Sequence, residues 1–97
     1  VRSVLFRPAA AADVEAGYQW YEAQRPGLGE EFLLAVRTAI ESVRARPLAY
    51  PMMFRQTRRL LVRRFPYLLC YRVYEDAVVV VGCLHARTDP RRWKHRK

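Results

Sequence analysis

The apolar residues of this chain change their spacing once, across a segment that carries two prolines, 47–56 (PLAYPMMFRQ). Before it they recur every three or four positions, and after it they alternate. A switch from a period of 3.6 to a period of 2 assigns the first half to helices and the second to strands. Each layer exposes one apolar face, and the simplest way to bury both is to stack them.

In the first half, Ser3–Phe6 (SVLF) is a short apolar run stopped by Arg7-Pro8, and is predicted to be a strand. Pro8 suits the first turn of a helix, where its missing N–H costs nothing. Val14, Gly17, Tyr18 and Tyr21 then mark the apolar stripe of a helix that should end near Gln24, because RPGLG (25–29) follows. A second helix is predicted from near Gly29, with Glu30 and Glu31 in its first turn, where carboxylates favour the dipole. Its buried stripe is Phe32, Val36, Ala39, Ile40 and Val43, and Pro47 closes it. The segment 47–56 is assigned to a loop. Strands are predicted over 58–65, 67–74 and 77–84. The expected fold class is α+β: an N-terminal strand, a helical hairpin, then a three-stranded antiparallel meander, forming one sheet with the helices on one face. Residues 1–97 are expected to form one domain.

If Glu75-Asp76 is a two-residue hairpin loop, Tyr71 lies opposite Val80 and Tyr67 opposite Leu84. Tyr67, Leu69, Tyr71 and Val73 then share the helix-covered face with Val78, Val80, Gly82 and Leu84. The other face holds Leu68, Cys70, Arg72 and Tyr74 with Val79, Val81, Cys83, His85 and Arg87. On this register Cys70 and Cys83 are diagonal, a poor position for a disulfide, and both are expected to be buried and reduced. No metal ligand set and no cofactor motif is present.

The net charge of +9 is distributed unevenly. Residues 1–54 carry six arginines and six carboxylates; residues 55–97 carry ten arginines and two lysines against Glu75, Asp76 and Asp89. Arginine binds anions through a rigid planar fork and keeps its proton, so this half suits anion docking better than proton transfer. The longest apolar run, Ala77–Leu84, is too short to cross a bilayer, and no leader pattern is seen, so a cytoplasmic protein is expected.

Four segments, AAADVEAGYQWYE, RPGLGEEFLLAV, RRFPYLLCYRVYED and the terminal HARTDPRRW, resemble in order and spacing the RelE/ParE toxin superfamily of bacterial type II toxin–antitoxin systems, its ParE branch above all. The resemblance covers nearly the whole chain. It implies a toxin that poisons DNA gyrase, with only indirect contact with DNA, and that is neutralised by a ParD-like antitoxin in a hetero-oligomer. The antitoxin should bring an acidic amphipathic C-terminal segment. RelE-like relatives instead cut mRNA on the ribosome, which is the alternative reading. Arg87 and Trp93 resemble the arginine and tyrosine that those enzymes space in this way, but an indole cannot transfer a proton as a phenol does. Under the nuclease reading His85, Arg87 and Arg72 would be catalytic. Under the docking reading no residue is catalytic, and Arg63, Arg87, Arg91, Arg92, Trp93, Arg96, Trp20 and Tyr21 contact partners. A third alternative, a basic nucleic-acid-binding module, has the same electrostatics. The structural alternatives are a hydrogen-bonded His85, edge charges at Arg58, Arg59 and one of Arg63 and Arg64, and a Trp93 packed on the sheet.

Overall fold

The computed structural model describes residues 2–89 and Arg91. The elements run β1 (Ser3–Phe6), α1 (Pro8–Gln24), α2 (Leu28–Ala45), β2 (Met52–Phe54), β3 (Thr57–Leu61), β4 (Tyr67–Val73) and β5 (Ala77–His85). The five strands form one sheet in the order β1-β5-β4-β3-β2, so the expected α+β architecture is present with one strand more than anticipated. The additional strand, β2, lies in the segment assigned to a loop. Three residues between a proline and a turn are too few to show a period. It is closed onto β3 by Arg55 and Gln56, whose φ values of 45° and 68° are those of a hairpin turn with both central residues left-handed. β1 pairs with β5 in parallel, and the other neighbours are antiparallel. A parallel partner requires a long crossover, and the whole of 7–76 supplies it.

The helical hairpin is tied at its turn by one carboxylate. Glu22 near the end of α1 accepts hydrogen bonds from the N–H groups of Gly27 (3.0 and 3.1 Å) and Gly29 (3.0 Å), so its charge lies across the start of α2. Gly27 has a φ of 92°, which favours glycine there. The core between hairpin and sheet is built on Phe32, which is fully buried and whose ring lies 5.0–5.4 Å from those of Tyr21, Phe65 and Tyr67. Around it pack Ala10, Val36, Ala39, Val43, Leu69, Tyr71, Val78 and Val80. The stripe expected on α2 is the one that is buried, with Ile40 half-buried at its margin.

α1 passes over this aromatic cluster through Gly17. A Cβ at Gly17 would stand 2.7 Å from two ring atoms of Phe32, a ring held on its other sides by three aromatic neighbours. In an open helix Gly→Ala stabilises by about 1 kcal/mol. Here overpacking of about 1–3 kcal/mol opposes that gain and outweighs it. Gly17→Ala should therefore lower the urea midpoint, and a rise would show that the helix can move away from Phe32.

Candidate interaction surface

β4 and β5 determine which side chains reach which side of the sheet, and their pairing changes register partway. Near the turn Val73, Arg72 and Tyr71 face Val78, Val79 and Val80, as expected. Beyond it Cys70 faces Gly82, Leu69 faces Cys83, and Tyr67 faces His85. Val81 is one residue more than β4 can match, which makes a bulge. Asp13 of α1 stands over it and accepts a hydrogen bond from the Cys83 N–H at 2.9 Å. The sequence held a signal for this, since a glycine inside an apolar strand, such as Gly82, often marks a bulge.

The consequence is a correction to the expected face. His85 and Cys83 point to the helix side and Leu84 to the open side. The His85 ring lies 5.6 Å from that of Tyr67 and shares a cavity of about 240 Å³ with Trp20, Tyr21 and Tyr67. Arg72 stays on the open side, where its Nε–H donates to the Thr57 hydroxyl at 3.2 Å. Arg87 lies past the strand end, its N–H donating to His85 Nδ1 at 3.1 Å. The expected grouping of Arg72, His85 and Arg87 is thus not formed, because the bulge rotates everything after it by one residue. Cys70 and Cys83 consequently lie on opposite sides of the sheet; both are buried, and they form no disulfide with each other. Burial, assisted by the nearby Asp13 carboxylate, pushes the Cys83 thiol up to about 12.

The open side is more apolar than expected. Cys70 and Val81 are buried there beneath Met53, Phe54, Leu68, Val79 and Leu84, and Cys70 Sγ is 3.5 Å from Met53 Sδ. Leu61, 58% exposed, stands at its margin. The polar side chains at its centre are Thr57, Arg59 and Arg72.

The arginines divide by what they touch. Arg58 is not an edge charge: its guanidinium donates to the carbonyls of Leu48 (3.3 Å) and Tyr50 (2.7 Å) and holds the loop before β2. Arg63 and Arg64 lie beyond the end of β3, which stops at Leu61, so the expectation that they flank one strand is also corrected. Arg64, at a φ of 72°, turns back to pair with Glu31 at 2.8 Å, and Arg25 reaches the same carboxylate at 3.2 Å. Hydrogen bonds from Arg64 and Arg25 hold the Glu31 carboxyl below the usual range. Arg63 is exposed and lines two neighbouring cavities beside α2, one of which is also lined by β3. Arg91 is exposed and pairs with Asp89 at 2.7 Å. Trp20 is 58% exposed, stacked edge-on to a half-buried Tyr21 at 5.1 Å. Arg92, Trp93 and Arg96 lie outside the described residues. Among the described residues no cluster of histidine, cysteine or carboxylate could hold a metal ion, and no helix is long and apolar enough to cross a membrane.

The loop held by Arg58 is fastened at its other end by Tyr71, whose buried hydroxyl donates to the Pro47 carbonyl at 2.8 Å. Burial pushes the Tyr71 phenol up to about 12 from an ordinary 10.0, so the folded state resists its ionisation. A folded pKa above the unfolded one gives stability that is complete below pH 10 and lost as pH rises toward 12. Tyr71→Phe should cost about 1 kcal/mol at neutral pH through the lost hydrogen bond, and should weaken this alkaline destabilisation. Thermal melts at pH 7 and above pH 10 measure both, and an unchanged alkaline slope would count against the assignment.

A family model described as "ParE toxin of type II toxin-antitoxin system, parDE" matches residues 4–90. No curated protein matches the chain significantly. A solved structure titled "Chromosomal ParDE TA system from P. aeruginosa" is similar in fold, with a TM-score of 0.66 and 23% identity over 87% of this chain and 95% of that one. With nearly all its described residues inside the family match, this chain belongs to the ParE toxins of type II toxin–antitoxin systems.

Proposed function

We propose that this protein poisons DNA gyrase by docking, without catalysing bond cleavage, and that a ParD-like antitoxin silences it in the cytoplasm. The observation that carries the reading is the separation of His85 from Arg72 by the bulge in β5. Cleavage at a ribose hydroxyl needs a base, an acid and a cation on the phosphate gathered on one surface. Here the arginines at the centre of the open face stand among apolar side chains, while the imidazole lies on the other side with one nitrogen accepting from Arg87. Arginine with exposed apolar and aromatic groups is a composition suited to binding a macromolecule. The antitoxin, on this reading, brings an acidic amphipathic segment that lies along the helical hairpin and reaches the basic half. Salt should therefore weaken the complex.

The first test is the cellular response. Expression without antitoxin should induce the DNA-damage response and slow replication while transcripts remain intact. Rapid mRNA cleavage at ribosomal codons with no damage response would transfer the protein to the nuclease class.

Two variants then separate docking from catalysis. His85→Gln retains hydrogen-bonding capacity and the neutral-pH charge, so toxicity in a growth assay should persist. A proton-transfer role would instead lose ~10²–10⁴-fold in rate. Removal of Arg91, Arg92 and Trp93 together should abolish growth arrest while the thermal midpoint and antitoxin binding persist. The reverse pattern would overturn the choice.

A further inference from the structure

β3 is covered on its outer side for only part of its length. β2 pairs with Thr57 and Arg58, and the Pro51 carbonyl accepts from the Arg59 N–H at 3.1 Å. Among the described residues no strand lies outside β3 beyond that point. The direction of the remaining backbone groups follows from two hydrogen bonds. Arg59 donates outward to Pro51, whereas Val62 donates inward to Tyr67 at 2.8 Å. Backbone groups alternate along an antiparallel strand, so Leu61 points its N–H and C=O outward with Arg59. This is a short unpaired edge, a template for another strand.

On the helix side of that edge lies an apolar groove. One cavity, of about 200 Å³, is lined by Ala35, Thr38, Tyr50, Leu60, Leu61 and Arg63 among others. It continues past Ala35, Thr38 and Arg63 into a second, of about 340 Å³, bordered by Leu34, which is 60% exposed. Arg63 stands in both and forms no ion pair among the described residues, unlike Arg64, whose charge is met by Glu31. On the open side of the same edge stands Arg59, opposite Cys70. A strand added here would thus send alternate side chains into an apolar groove and toward an arginine.

We propose that the outer edge of β3 at Arg59–Leu61, with the groove between α2 and β3, binds an extended partner segment alternating apolar and acidic residues. Main-chain hydrogen bonds to Leu61 fix its register, its apolar side chains fill the groove, its carboxylates on the open side meet Arg59, and Arg63 at the end of the groove receives an acidic residue where the segment leaves the edge. The surface charge favours an acidic partner over a second copy of this basic chain. That the natural donor is the antitoxin rests on the function proposed above; the site itself does not.

The test uses the whole chain and a short synthetic peptide alternating valine and glutamate, with a valine–lysine peptide as control, read by fluorescence anisotropy. Leu61→Pro deletes the outward N–H and leaves the bonds from β3 to β4 in place, since Leu61 does not use its backbone on that side. Thr38→Trp blocks the groove without touching the strand, and decides the matter if the proline variant does not fold. The wild type should bind the glutamate peptide, each folded variant about tenfold more weakly, and the lysine peptide should not bind. Equal binding by the wild type and folded variants, binding of the lysine peptide, or no binding of the glutamate peptide would overturn the proposal. An antitoxin that binds the wild type and both folded variants equally would remove the antitoxin from this edge while leaving the toxin–antitoxin reading intact. A wild type that binds the peptide but no antitoxin would do the opposite.

Discussion

β5 joins the two halves of the molecule, and its one extra residue controls what each side of the sheet presents. β1 pairs with it in parallel, β4 in antiparallel, and α1 packs across it, with Asp13 hydrogen-bonded just past the bulge. A strand has a side-chain period of two, so a single inserted residue exchanges the two faces from that point onward. Val81 is that residue. Cys83 and His85 are turned under the helices, and Leu84 is turned out. The separation of His85 from Arg72 therefore depends on one backbone irregularity.

The same sheet carries two different surfaces. Toward the hairpin it holds the aromatic cluster around Phe32, where rings meet edge to face and α1 approaches through a glycine. Toward the open side it holds aliphatic and sulfur-bearing side chains interrupted by Arg59 and Arg72. Rings of this size need covering on several sides, which only helix and sheet together provide. The open side has no such cover among the described helices.

Several charges of the basic half are held by partners within the chain. Arg58 holds loop carbonyls, Arg64 and Arg25 share Glu31, Arg72 bonds Thr57, and Arg91 bonds Asp89. These groups position the chain or one another. Arg63, exposed above the α2–β3 groove, belongs to a different class, since it forms no ion pair among the described residues.

Much of this was legible in the sequence. The change of period at 47–56 separates helices from strands, Pro8 and Pro47 bracket the helical hairpin, and Glu30 and Glu31 mark the start of α2. These are local properties: backbone propensity, a missing N–H, a dipole, an apolar stripe. The family motifs were legible for the same reason, because they are residue types at fixed spacings. What the sequence did not reveal was cross-strand in origin. β2 is too short to show alternation, and the ends of β3 and the Arg63–Arg64 turn depend on where pairing stops. The site of His85 depends on a bulge that the run of valines conceals and Gly82 only hints at. Periodicity fixes which residues of a strand share a side with one another, but the tertiary structure decides which side that is, because register is set by the neighbouring strand and by the helix packed above it.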